Sequence, residues 1–141
     1  MNLKLADYGF ATHKNVHSLK TYRGTMSYMA PEIKRGDVYD GRATDIFSAG
    51  VVLFIAVRGI FPFKEARKDE YFYNLIVSGQ TDKYFEKIKG EYLSEDFRDL
   101  VVRMLAYKGS DRPTLEEIKQ HPWYKKPYNK HLVRTQLMQK Q

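Results

Sequence analysis

The sequence predicts a mainly α-helical protein with one short strand at its N-terminus. Three observations carry that prediction. Residues 44–58 are apolar nearly throughout (Ile46, Phe47, Ala49, Val51, Val52, Leu53, Phe54, Ile55, Val57), which is the pattern of a helix covered on most sides. Phe97, Leu100, Val101, Met104 and Leu105 recur at i, i+3, i+4, i+7 and i+8, the spacing of an amphipathic helix. Ser94, followed by Glu95 and Asp96, and Thr114, followed by Glu117, are helix-start signals. The first is a hydroxyl cap with acids in the positive end of the helix dipole, the second a capping box.

Taken in order, Leu3 and Leu5 alternate with polar neighbours, a short strand signal. That strand has no convincing partner elsewhere in the chain, and a lone strand leaves its backbone groups unpaired. Residues 12–27 are polar, basic and rich in Ser and Thr without a period, so they form a long loop, the kind that usually carries function. Pro31-Glu32 opens a short helix that Gly36 stops. The long helix from Thr44 ends at Arg58-Gly59, and Pro62 prevents a restart. A helix near 70–78 places Phe72, Leu75 and Ile76 on one face. Gly109 is positioned to end the helix that Ser94 starts, and His121-Pro122 closes the one that Thr114 starts.

The 141 residues suit one domain or a large part of one, with 43% hydrophobic and 29% charged residues. The net charge of +7 is uneven. From Trp123 onward there are basic residues (Lys125, Lys126, Lys130, Arg134, Lys140) and no acid. This reads as a solvated basic tail over 125–141, because it lacks the clustered basic stripe and stacking aromatics of a nucleic-acid surface. The absence of cysteine rules out disulfides, thiolate zinc sites and a cysteine nucleophile. No signal peptide is visible, and the apolar run Ala49–Val57 is far shorter than the about 20 residues that span a bilayer. These features fit an intracellular, cytoplasmic setting. His13 and His17 are four apart, but they sit in a loop with no third ligand for zinc.

Four signatures then occur in order: Asp7-Tyr8-Gly9; Gly24-Thr25-Met26-Ser27-Tyr28-Met29-Ala30-Pro31-Glu32; Asp45-Ile46-Phe47-Ser48-Ala49-Gly50; and Ser110-Asp111-Arg112-Pro113-Thr114, followed by His121-Pro122-Trp123. They resemble the D-F-G, G-T-x-x-Y-x-A-P-E, D-x-W-S-x-G and Arg-Pro elements of the eukaryotic protein kinases. Tyr8 replaces Phe in the first and Phe47 replaces Trp in the third. The resemblance covers residues 1–124 and implies the second half of the large, helical lobe of a kinase-like α+β fold. The G-T-x-x-Y-x-A-P-E form resembles Ser/Thr rather than tyrosine kinases. The pattern as a whole is similar to calcium/calmodulin-type or related members.

The resemblance implies roles residue by residue. Asp7 would be a Mg²⁺ ligand that helps hold ATP, a hard anionic oxygen for a hard cation. Gly9 would allow the sharp turn beside the nucleotide. Tyr8 would add a hydroxyl where the family packs a bare ring, and such a hydroxyl, once buried, needs a partner. Residues 10–23 would be the activation loop, with Thr21 as its phosphosite candidate, Ser18 and Tyr22 as nearby competitors, and an upstream or partner kinase as its modifier. Gly24 and Thr25 would wall the pocket for a protein substrate. Glu32 and Arg112 would form a buried ion pair. Asp45 would begin the central helix and bond the catalytic-loop backbone. These last three are structural roles.

The family's glycine-rich loop, strand lysine, helix glutamate and H-R-D-x-x-x-x-N loop do not occur in these 141 residues. The resemblance would place them, with the catalytic Asp and Lys, before Met1. The expectation is therefore a Ser/Thr protein kinase present as a fragment, inactive by itself. The alternative is a non-catalytic kinase-like chain that binds substrates or partner kinases.

Overall fold

Asp40 precedes Gly41-Arg42-Ala43-Thr44, and its carboxylate accepts the Arg42 N–H at 2.8 Å. This cap starts the longest helix, α2 (Gly41–Arg58), earlier than the apolar run alone suggests. In the computed structural model, which describes residues 4–6, 8, 9, 11, 12, 17, 19, 20 and 25–127, α2 is the central element. A 3₁₀ turn (Met26–Tyr28) and the short α1 (Pro31–Arg35) precede it. After it come α3 (Tyr71–Val77), α4 (Thr81–Lys87), α5 (Glu95–Met104), a 3₁₀ turn (Gly109–Asp111), α6 (Leu115–Gln120) and α7 (Pro122–Lys125). The fold is mainly helical, as the sequence predicts.

The helix ends follow local chemistry. α1 has Pro31 in its first turn, where its missing N–H costs nothing, and stops at Gly36 with φ 73°. α2 stops at Gly59 with φ 74°, whose N–H bonds the Ile55 carbonyl at 2.7 Å. Ser94 Oγ accepts the Phe97 N–H at 3.3 Å at the head of α5. Thr114 and Glu117 form a complete capping box at the head of α6. His121 ends α6 and caps α7, with Nδ1 accepting the Trp123 N–H at 3.2 Å.

The core gathers around one side of α2. Phe47, Val51 and Phe54 of α2 meet Phe63, Tyr73, Leu75, Ile76, Tyr84, Phe85, Phe97 and Val101. α2 crosses α5 where Gly50 faces Met104 and Leu105, and only the lack of a side chain at Gly50 permits that approach. Two tyrosines anchor the far side with buried hydroxyls: Tyr73 donates to the Leu105 carbonyl at 3.1 Å and Tyr84 to the Pro62 carbonyl at 2.9 Å.

The structure departs from the sequence expectations at several places. Residues 4–6 adopt no regular structure, and among the described residues there is no strand; Leu3 lies outside them. An extended segment becomes a strand only with a ladder partner, and the one pairing among the described residues is an isolated bridge between Leu19 and Tyr39. α2 is not covered on most sides. It buries Thr44, Phe47, Gly50, Val51 and Phe54, while Ala49, Val52, Ala56 and Val57 are exposed, because the other described elements pack on one flank only. Gly109 does not end α5. The helix stops at Met104, and Gly109 opens a 3₁₀ turn instead. The chain leaves helical geometry there to offer the Ala106 carbonyl to Arg112. Of the basic tail, only 125–127 are described, and Lys126 Nζ pairs with Asp96 Oδ2 of α5 at 2.5 Å. No described helix is long and apolar enough to cross a membrane.

Candidate functional site

Thr25 lies in extended backbone and leads into the 3₁₀ turn Met26–Tyr28. α2 holds this turn from below: Ser48 Oγ donates to the Tyr28 carbonyl at 3.0 Å. The Tyr28 ring meets Phe61 edge-on at 5.4 Å. Met29 and Ala30 then sink into the core. Thr25 itself is left exposed beside this anchored backbone. Gly24 and Thr21 lie outside the described residues.

Two residues beyond Ala30, Glu32 meets Arg112. Arg112 Nη1 donates to Glu32 Oε1 at 2.6 Å and Nη2 to Oε2 at 2.7 Å, the fork-on-fork geometry of a guanidinium and a carboxylate. Both residues are buried, at 7% and 6% exposure. Arg112 also donates to the Ala43 carbonyl at 2.8 Å and, through Nε, to the Ala106 carbonyl at 3.0 Å. Its guanidinium lies 4.9 Å from the Phe47 ring centroid. Gly109 makes room for the pair: a Cβ there would sit 3.2 Å from the Ala43 Cβ and 3.5 Å from Glu32 Oε1. The buried charges are thus fully hydrogen-bonded, the condition under which such a pair is tolerated.

Asp45 does not begin α2. The helix starts at Gly41, and Asp45 stands on its second turn, exposed. It has no hydrogen-bond partner among the described residues, and desolvation by the surrounding protein raises its carboxyl above the usual value. The capping task falls to Asp40, which also bonds His17 Nδ1 at 2.8 Å. Burial pushes the Asp40 carboxyl up, but the His17 and backbone hydrogen bonds outweigh it and hold it below its ordinary value.

Asp7 lies outside the described residues. Tyr8 is not packed inward: it is 68% exposed, and its hydroxyl donates to the Leu5 carbonyl at 3.2 Å. Gly9 lies in a turn beside it. Among the described residues no group of three acidic, histidine or cysteine side chains could hold a metal ion. Mg²⁺ keeps several waters and is held by one or two carboxylates together with nucleotide phosphates, so a carboxylate such as that of Asp7 would fit as one of its ligands.

Sequence reasoning missed Asp40, although an acid directly before Gly-Arg-Ala-Thr is itself a cap signal. It also missed α4, whose cue is Thr81-Asp82 after the turn at Gly79.

A helical lobe with a buried Glu32–Arg112 clasp beneath an anchored Thr25–Pro31 segment agrees with what the comparisons find. The protein kinase domain model matches residues 1–124, and the chain belongs to the eukaryotic protein kinase family. It is similar to the serine/threonine-protein kinase SRK2G of Arabidopsis thaliana, 33% identical over 135 residues, covering 94% of this chain and 38% of that protein. It is also similar to the SNF-related serine/threonine-protein kinase of Homo sapiens, 38% identical over 122 residues, covering 86% of this chain and 15% of that one. The CBL-interacting protein kinase 20 of Oryza sativa subsp. japonica is 35% identical over 133 residues, covering 92% of this chain and 27% of that protein. The chain thus spans well under half the length of each of these relatives.

Proposed function

We propose that these residues are the substrate-side part of the large lobe of an ATP- and Mg²⁺-dependent Ser/Thr protein kinase. The observation that carries the reading is the family match across residues 1–124, to relatives whose names say serine/threonine-protein kinase. In this reading Asp7 supplies one Mg²⁺ ligand, Gly9 the adjoining turn, and Gly24 and Thr25 the wall against which a protein substrate lies. Thr21 is the residue an upstream or partner kinase modifies. The Glu32–Arg112 pair ties the end of the activation segment to the base of the lobe, and Asp45 awaits a backbone partner. The calcium/calmodulin-type subgroup is the finer reading, supported by the residue pattern as a whole. A cytoplasmic location belongs to the same reading.

The 141 residues alone transfer no phosphate, because they hold neither the phosphate cradle nor the catalytic base. Purified residues 1–141, given radiolabelled ATP, Mg²⁺ and a serine/threonine peptide mixture, should yield no incorporation above an enzyme-free blank. Incorporation that Asp7→Ala abolishes would overturn this. Translation of the DNA upstream of Met1 should give the H-R-D-x-x-x-x-N loop in frame.

A second reading, a non-catalytic chain that binds substrates or a whole kinase, is favoured by the uncovered apolar residues of α2, where Val52 is 54% exposed. It requires that Val52→Asp abolish binding to an intact kinase while leaving the helical circular dichroism signal unchanged.

A further inference from the structure

The loop 88–94 between α4 and α5 is gripped by arginines from two helices. Arg98 of α5 donates from Nη2 to the Gly90 carbonyl at 3.1 Å and to the Glu91 carbonyl. Arg58, the last residue of α2, donates from Nη2 to the Ile88 carbonyl at 2.6 Å and from Nη1 to the hydroxyl of Tyr92. The Arg58 guanidinium also lies 5.2 Å from the Tyr92 ring centroid. Arg58 is half-buried, forms no ion pair among the described residues, and keeps a buried Nε without a partner. A permanent positive charge therefore rests against neutral acceptors only. Tyr92, which it holds, is 68% exposed.

We propose that Tyr92 is a phosphorylation site and that Arg58 is the receptor built for its phosphate. A phosphotyrosine brings about −1.5 to −2 charges and three acceptor oxygens, and the fork of an arginine matches that group. The other described tyrosines lack the combination. The hydroxyls of Tyr73 and Tyr84 are buried in bonds to main-chain carbonyls. Tyr107 is half-buried beneath Arg35, which already pairs with Asp37. Tyr8, Tyr71 and Tyr124 are exposed, and none has an arginine against its ring among the described residues. Glu91, Glu95 and Asp96 flank Tyr92 and give the segment the charge that a cationic substrate groove accepts.

In the modifying step a tyrosine kinase transfers the γ-phosphoryl group of ATP. The bond from phosphorus to the bridging oxygen of the departing ADP breaks, a bond to Tyr92 Oη forms, and the phenolic proton passes to the base of that enzyme. The product ties loop 88–94 to the end of α2 by a charged bond where a neutral one stood.

The test incubates the full chain with a recombinant tyrosine-kinase catalytic domain and ATP, maps the phosphate by mass spectrometry, and titrates it by ³¹P NMR. Phosphate should accumulate first on Tyr92 and be lost in Tyr92→Phe. Its second ionisation, near pH 6 in a free phosphate ester, should fall by about half a unit relative to the phosphorylated peptide 88–96, as a neighbouring cation demands. That comparison needs no variant. Arg58→Gln should return the midpoint to the peptide value, and Arg58→Lys should keep part of the shift. Labelling of Tyr8, Tyr71 or Tyr124 with Tyr92 untouched would overturn the proposal, as would a midpoint equal to that of the peptide.

Discussion

Glu32 and Arg112 stand 80 positions apart and meet as a buried two-bond ion pair, with the guanidinium reaching three further carbonyls. One charge left without the other cannot reach water. Glu32→Ala or Arg112→Ala should each cost about 3–5 kcal/mol. Glu32→Leu combined with Arg112→Met should cost much less than the sum, because no orphaned charge remains. Urea unfolding midpoints check this, and additive losses would show that charge pairing is not what the site needs.

Gly50 carries the crossing of α2 and α5. A Cβ there would lie 2.9 Å from the Met104 Cβ, an atom fixed close to the backbone. Alanine would improve helix propensity by about 0.5–1 kcal/mol. The overlap should cost about 1–3 kcal/mol and win. Gly50→Ala should therefore lower the thermal midpoint; an unchanged or raised midpoint would mean that the helices can part freely.

Lys89 occupies the left-handed region at φ 52° with a full side chain. Lys89→Gly should stabilise by up to about 1 kcal/mol, the relieved strain being partly offset by the added freedom of the unfolded chain. Gly59→Ala is the converse test. Its φ is 74° with open space around the missing Cβ, so strain alone should cost about 1 kcal/mol. Opposite shifts in denaturant midpoint are expected from the two variants.

Burial raises the phenols of Tyr73 and Tyr84 well above their ordinary value of 10.0. A raised folded-state pKa means that the unfolded chain releases these protons first. Their contribution is complete below pH 10 and is lost as the pH climbs further, at about 1.4 kcal/mol per pH unit for each phenol. Alkaline unfolding followed by circular dichroism should be steep above pH 10 and shallower in Tyr84→Phe. An equal slope in that variant would contradict the assignment.

The parts of the fold legible in the sequence are those whose cause is local. The Ser94 cap, the Thr114–Glu117 box and the stops at Gly36 and Gly59 each depend on neighbours within four residues, and the structure has them all. The end of α5 was misplaced because its cause is distant: Arg112 takes the Ala106 carbonyl. The wet flank of α2 was equally hidden. Composition states that Val52 and Val57 are apolar but not whether anything packs on them. At the site, Glu32 and Arg112 could be named through family resemblance, whereas Asp40 was overshadowed by the expectation placed on Asp45. Asp7, Thr21 and Gly24 lie outside the described residues.

The chain contains a single tryptophan, Trp123, seated on α7 with its ring 5.7 Å from Phe97. The buried tyrosines lie elsewhere, on α3 and α4. Indole fluorescence therefore watches the edge of the molecule while tyrosine near-ultraviolet dichroism watches its middle. A helix of four residues opens before a core does, so the molecule carries two intrinsic reporters that separate the undocking of α7 from the loss of the interior.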